Sequence, residues 1–179
     1  MLTSGSILIL WNNICIEEKI RKEVYSRSSL TESWKYLVDY LFRFYYLSNK
    51  KRPLNEITLG RTNHHRYSTI VDLLEHEIDK IILLRNRLAH GQWKIALNLG
   101  KNDINNEATA LLNTVGRADL IISRNVIRNF VISVSNLAHS RKHFERQYDN
   151  RMLRIEETKD KAKSSTLPKW ENGKWIRVK

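Results

Sequence analysis

A cluster of polar residues ends an apolar stretch at residues 83–93, LLRNRLAHGQW, and its side chains are types that handle phosphate. Asn86 and His90 lie four residues apart, so on a helix they share a face. The amide of Asn86 can then hydrogen-bond the imidazole and fix its orientation. Arg85 lies about 140° from His90 on an ideal helix. The two can join one site only if the helix end bends or a second subunit completes the site.

This set of side chains suits metal-independent cleavage of RNA. An arginine can hold the phosphate, a histidine can move a proton, and the ribose 2′-hydroxyl can act as the nucleophile. The sequence carries no recognisable metal-binding signature, and we expect no metal and no cofactor. On spacing alone an alternative stays open, in which the helix C-terminus is rich in cations because the helix dipole favours them.

The composition favours long helices and a polyanionic partner. The 179 residues include only 6 glycines and 2 prolines, and few such residues mean few tight turns. Lysine and arginine outnumber aspartate and glutamate by 31 to 19, for a formal charge of +12. This excess points to nucleic acid, and the alternative is a basic surface with no specific partner. No apolar run reaches the ~20 residues that cross a bilayer, and no leader peptide is recognisable, so we expect a cytoplasmic protein without membrane contact.

Apolar periodicity predicts an all-α fold. Ser29 and Glu32 fit the two ends of a capping box, and Gly91 suits the position just after a helix end. We predict a four- or five-helix up-and-down bundle. The expected helices cover residues 6–26, residues 30–47, Ser68 to His90, and about Glu107 to Lys163, where only Gly116 breaks the helical pattern.

The last part of the chain is more charged. After Arg141 the apolar residues thin out, so we expect a solvent-exposed helical extension. We therefore divide the chain into a bundle at residues 1–140 and a basic extension with its tail at residues 141–179. Asn-Gly at 172–173 is a strong signal for a terminal β-hairpin. Its cross-strand pairs would be Trp170 with Trp175 and Glu171 with Lys174.

A basic stripe is predicted along the last long helix. Steps of about 100° per residue bring one set of polar and basic side chains to within about 40° of Arg117. A stripe without acids suits a phosphate backbone, and the alternative is an ordinary solvated helix face. The stripe consists of Asn113, Arg117, Arg124, Arg128, Ser135, His139, Lys142 and Arg146. The predicted RNA-binding residues are Arg87, Arg117, Arg124 and Arg128.

The run from Arg85 to Gly91 resembles the Arg-Asn-x-x-x-His signature of the HEPN superfamily, and the resemblance covers roughly residues 5–140. It implies an all-α bundle of four or five helices that forms a homodimer. Two copies of the motif would then face each other and form one composite ribonuclease site. It also implies a role as a toxin or antiviral effector. The residues after His90 are Gly-Gln-Trp, where one toxin branch has His-x-Tyr.

The sequence thus predicts a metal-independent endoribonuclease in which Arg85 stabilises the phosphorane charge. His90 would act as general base or acid, and Asn86 would position His90. The expected partners are RNA and a second copy of the chain, with an antitoxin or regulatory protein as a further candidate. One alternative is a catalytically silent HEPN-like bundle that binds RNA or a protein. Another is a purely structural helical dimer.

Overall fold

A computed structural model of the chain describes residues 18–89, 95–98, 102–114, 117–164, 169–171 and 174–176. Within these ranges helices dominate, and they form a bundle around one hydrophobic core. The predicted all-α bundle is therefore confirmed. In chain order the elements are α1 (Glu18–Tyr25), α2 (Leu30–Tyr46), α3 (Glu56–Leu59), α4 (Arg61–Leu73), a π-helical turn (Leu74–Ile78), α5 (Asp79–Ala89), α6 (Asn106–Thr114), α7 (Arg117–His139), α8 (Arg141–Ser164), β1 (Lys169–Glu171) and β2 (Lys174–Ile176).

The long helices alternate in direction. The start of α2 meets the start of α5, where the Thr31 hydroxyl donates to the Asp79 carboxylate at 2.5 Å. Further along α2, Asp39 accepts a hydrogen bond of 2.7 Å from the Tyr67 hydroxyl on α4. Burial raises the pKa of Tyr67, so its phenol stays protonated and remains the donor. The continuous path through α4 and α5 is thus antiparallel to α2.

An aromatic cluster joins the four long segments of the bundle. The ring of Phe42 on α2 lies 5.2 Å from that of Tyr67 on α4 and 5.8 Å from that of Phe144 on α8. Trp34, also on α2, packs edge-on against Phe130 of α7 at 5.3 Å. Such ring pairs add to the free energy that burial of the side chains already contributes. One core therefore unites α2, α4, α7 and α8.

The predicted start of α2 is confirmed, and that of the next long helix is wrong. The Ser29 hydroxyl caps α2 by accepting the backbone N–H of Glu32 at 3.1 Å. The next long helix, α4, begins at Arg61, directly after Gly60, whose φ of 74° suits glycine. Ser68, the expected N-cap, lies inside α4 and donates to the carbonyl of His65. The polar residues before Ser68 form a helix surface rather than a loop.

The expected continuous helix from Glu107 to Lys163 is also wrong. The chain leaves helical geometry at Ser140, and the helices on either side pack against each other along their lengths. The Ser140 carbonyl accepts the N–H of Phe144 at 3.0 Å, and its hydroxyl accepts that of His143 at 3.4 Å. Serine in this position satisfies the free N–H groups at the start of the new helix. α7 and α8 therefore form an antiparallel helical hairpin.

Helix α8 belongs to the core, so the prediction that the chain after Arg141 is exposed to solvent is wrong. Phe144, Tyr148 and Ile155 are between 0 and 4% exposed. Burial of a large apolar side chain stabilises a fold by about 1.5–3 kcal/mol. These few residues lie on one face of the helix. The low overall apolar content of α8 therefore does not reveal that one of its faces is buried. Side chains on both sides of the predicted boundary at residue 140 therefore belong to one core.

A π-helical turn separates α4 from α5, and contacts from two neighbouring helices hold it. The Asp79 N–H donates to the carbonyl of Leu74, five residues earlier, which is the hydrogen bond that defines this winding. Lys35 of α2 pairs with Glu75, and Lys159 of α8 pairs with Glu77 at 3.2 Å. The turn is therefore fixed from both sides, and with it the face that α5 presents.

Other predictions near the termini have mixed outcomes. β1 and β2 pair in the predicted antiparallel register, with Trp170 opposite Trp175, whereas the turn at 172–173 lies outside the described residues. The first predicted helix is described only from Glu18 onward. The described part of α5 ends at Ala89, so its expected end at Gly91 also lies outside. Among the described helices, none is both long and apolar enough to cross a membrane.

Replacing Phe42 with alanine tests the aromatic core. Phe42 is fully buried and contacts rings on two other helices. Removing a buried phenylalanine leaves a cavity and costs about 3–5 kcal/mol in the free energy of unfolding. Chemical denaturation of the variant measures this loss.

Phe44→Ala is the matched control, because Phe44 lies two residues away on the same helix and is 51% exposed. The described neighbours of its ring are the partly buried Tyr40 and Tyr45 and the exposed Lys50, so we expect a loss of about 1 kcal/mol or less. Equal losses in the two variants would contradict the described core.

Candidate functional site

An open groove of about 700 Å³ lies between α5 and α7. Ile81 and Ile82 of α5 line one wall, and Ile127, Val131 and Ile132 of α7 line the other. All five side chains are partly buried. Both helices therefore present an apolar strip to the groove that the core of the bundle does not fully cover.

Three arginines surround this apolar floor. Arg85 lies on α5, and Arg124 and Arg128 lie one turn apart on α7. All three are exposed, and no aspartate or glutamate occurs among the described residues that line the groove. Guanidinium groups bind phosphate oxygens in a bidentate manner. The groove thus combines an apolar surface with positive charge, an arrangement that suits an anionic ligand with an apolar part.

The described part of the candidate catalytic cluster consists of Arg85 and Asn86. Arg85 donates through Nη1 to Oδ1 of Asn86 at 2.9 Å, and both residues are exposed. This hydrogen bond uses the oxygen of the amide and leaves its NH₂ group for another acceptor, such as an imidazole nitrogen. His90, the predicted proton carrier, lies outside the described residues.

The other two predicted RNA-binding arginines are Arg87 and Arg117. Arg87 is half-buried and donates to the carbonyl of Leu97. Leu97 forms an antiparallel bridge with Ile104, so Arg87 ties the end of α5 to the segment that follows it. The predicted RNA-binding role of Arg87 stays a prediction. The side chain of Arg117 lies outside the described side chains, and its predicted role stays a prediction.

The predicted basic stripe does not run along one helix. Lys142 and Arg146 lie beyond the turn at Ser140, on α8, which runs in the opposite direction. Neither of these residues lines the groove. The predicted stripe requires a straight helix through residue 140, and the chain reversal at Ser140 is incompatible with it.

The structure brings out two arginines that sequence reasoning missed. Arg151 and Arg154 of α8 lie beside Arg128 in a cleft of about 220 Å³ between α7 and α8. Their spacing of three residues puts them on one face of a helix, a signal that was present in the sequence. This spacing alone did not indicate a binding site, because the helix after Arg141 was expected to be exposed to solvent. Arg128 lines both the groove and this cleft.

Two further results concern ligands and relatives. Within the described ranges, no group of three or more histidine, cysteine, aspartate or glutamate side chains is arranged to hold a metal ion. Comparison of the chain with protein-family models, with curated proteins and with solved structures gives no match.

Proposed function

We propose that this protein is a metal-independent endoribonuclease that cleaves RNA at a site containing Arg85, Asn86 and His90, in a toxin or antiviral defence setting. The proposal joins the Arg-Asn-x-x-x-His spacing, which resembles that of HEPN ribonucleases, to the cationic groove beside it. The observation that carries it is the convergence of Arg85 on α5 with Arg124 and Arg128 on α7 around one groove.

The proposed reaction needs one proton carrier and one group that stabilises charge. The ribose 2′-hydroxyl loses its proton to a base and attacks the adjacent phosphorus, and the bond from phosphorus to the 5′-oxygen breaks as that oxygen gains a proton. His90 would serve as the base or the acid, and Arg85 would stabilise the negative charge that builds on the phosphorane. Asn86 would orient the imidazole. The products would be a 2′,3′-cyclic phosphate and a 5′-hydroxyl.

The charge pattern supports RNA as the substrate. Among the described residues, Arg85, Arg124 and Arg128 form no ion pair with a carboxylate, so their charges are available to phosphates. The net charge of +12 acts in the same direction over the whole chain, because it attracts a polyanion from a distance.

A homodimer would resolve the angular separation of Arg85 and His90. On a straight helix these side chains point about 140° apart, so a second chain would supply the missing partner. Leu120 and Ile121 at the start of α7 are 49% and 50% exposed. A two-fold dimer uses the same patch on both subunits, and apolar side chains of this kind suit its centre.

Substitution of the proposed catalytic residues tests the mechanism. Arg85→Ala and His90→Ala should each lower the cleavage rate by about a hundredfold or more, because general acid–base catalysis and charge stabilisation each contribute at least that much. Excess EDTA should leave the wild-type rate unchanged. Cleavage of a fluorogenic RNA, with analysis of the product ends, measures both effects.

Lys80→Ala is the control, because Lys80 is an exposed cation on the same helix that does not line the groove. It should keep the wild-type rate. If EDTA abolishes cleavage while His90→Ala remains fully active, the proposed mechanism is wrong. If every variant binds RNA and none, the wild type included, cleaves it, the catalytically silent alternative holds.

The two arginines of α7 should contribute to RNA affinity. Arg124→Ala and Arg128→Ala should each weaken binding of single-stranded RNA and flatten the slope of log affinity against log salt by about 0.7 per lost contact. Titrations by fluorescence anisotropy at several salt concentrations give both quantities. Arg146→Ala is the matched control, since Arg146 is exposed on α8 and lines neither cavity. An unchanged slope in the α7 variants would show that these arginines form only a solvated face.

The two-chain site predicts a homodimer at assay concentrations. Analytical ultracentrifugation should find a dimer, and dilution below its dissociation constant should reduce cleavage faster than in proportion to protein concentration. A monomer that cleaves RNA at the full rate would refute the two-chain site. It would require a bent helix end that holds Arg85 and His90 together in one chain.

A further inference from the structure

We infer that the cleft between α7 and α8 is a second phosphate-binding site, in which Arg128, Arg151 and Arg154 hold the backbone of a single RNA strand as it leaves the groove at Arg85. The inference rests on the proposed function for the identity of the ligand, and on the described side chains for the site itself. It assigns a binding role to Arg151 and Arg154 and gives the strand a path across the helices.

The cleft exists because α7 and α8 pack as an antiparallel hairpin. Asn125 lies fifteen residues before Ser140, and Arg154 lies fourteen residues after it. The antiparallel packing of the two helices therefore brings these positions side by side. The cleft has a volume of about 220 Å³. This is less than the ~300–1,000 Å³ of a typical small-molecule pocket, so the cleft suits one phosphate group of a strand rather than a whole nucleotide.

The charge of the cleft favours an anion. Three guanidinium groups line it, from Arg128, Arg151 and Arg154, against the single carboxylate of Glu157. Within the described chain, none of these arginines forms an ion pair with Glu157. Like charges held in proximity raise the energy of the empty cleft, and a bound phosphate would relieve that repulsion.

A buried donor in the cleft also lacks a partner. The Nε atom of Arg151 is buried and has no hydrogen-bond partner among the described residues. An unsatisfied buried donor is unfavourable, and it is stabilised when an acceptor reaches it. The Nε and Nη donors of one guanidinium can bind two oxygens of the same phosphate. Asn125 and Asn129 line the α7 side of the cleft. The Nδ2 of Asn129 donates to the backbone carbonyl of Asn125 at 2.9 Å.

Arg128 connects the two cavities. It lines the groove together with Arg85 and Arg124, and it lines the cleft together with Arg151 and Arg154. Neighbouring packed helices lie about 8–10 Å apart, so the cavities on the two sides of α7 are separated by a short distance that a few nucleotides of an extended strand cover. The arginines thus form one row that crosses α5, α7 and α8, rather than a stripe along α7.

The experiment compares a dinucleotide with a decanucleotide, both made of 2′-O-methyl RNA so that the full-length wild-type protein cannot cleave them. Arg151→Ala and Arg154→Ala should weaken decanucleotide binding about tenfold, equal to about 1.4 kcal/mol, and flatten its salt slope by about 0.7. They should leave dinucleotide binding at the groove unchanged, because a dinucleotide bound there is too short to reach the cleft. Arg146→Ala should change neither.

Glu157→Gln should have the opposite effect on decanucleotide affinity. Glu157 is exposed, so its replacement should not disturb folding, and removal of its negative charge should strengthen decanucleotide binding alone. This variant keeps the test valid if Arg151→Ala, whose side chain is half-buried, fails to fold. Circular dichroism identifies such a failure.

The outcomes separate this inference from the proposed function. If the wild type binds neither oligonucleotide, the proposed function fails and this inference fails with it. If the wild type binds the decanucleotide and the Arg154→Ala and Glu157→Gln variants bind it with the same affinity and salt slope, the second site is refuted and the groove remains. Equal losses for the dinucleotide and the decanucleotide would also refute it, because they would show an indirect effect on the groove.

Discussion

The packing of α7 against α8 is the interaction on which the rest of the described structure depends. Apolar side chains of α7, Phe130 and Val134 among them, are fully buried in the same core as Phe144 and Ile155 of α8. This contact forces the chain to reverse at Ser140. Because α7 is buried along one face, Arg124 and Arg128 lie beside that face. Both line the groove towards α5, and Arg128 also lines the cleft towards α8.

A second constraint sets the orientation of α5. The π-helical turn adds a residue to the winding, which rotates all later side chains relative to those of α4. Leu74 and Ile78 of the turn are fully buried and anchor it in the core. Its two glutamates add partly exposed ion pairs, Glu75 with Lys35 of α2 and Glu77 with Lys159 of α8, and such pairs contribute little to stability. The anchored turn sets the side of α5 on which Arg85 lines the groove.

The combination of an apolar floor and a cationic rim has consequences for any ligand in the groove. Arginine is more weakly hydrated than lysine, so it gives up less solvation when a phosphate displaces water. The aliphatic side chains below it lower the local dielectric constant and strengthen each charge interaction. A nucleotide, with a charged phosphate and the apolar faces of an aromatic base, matches both parts of such a surface. This match is the physical basis of the function proposed for the chain.

Local features of the fold were predictable from the sequence alone. Ser29 caps α2 because a hydroxyl and a free backbone N–H lie within three residues of each other. The register of β1 and β2 agrees with the one that the Asn-Gly pair at 172–173 predicts. The proximity of Arg85 and Asn86 is likewise local, and so is the all-α class, which follows from helical periodicity over long segments.

Tertiary packing decided the features that bear on ligand binding. The helical pattern continues through Ser140, and nothing local distinguishes a straight helix from a hairpin whose two arms bury Phe130 and Phe144 together. The sequence therefore predicted that Arg146 and Arg128 share one helix face, whereas packing brings Arg154 beside Arg128. The π-helical turn depends in the same way on partners far away in the chain. Sequence determined which side chains could bind a phosphate, and the burial of apolar surface between helices decided which of them meet.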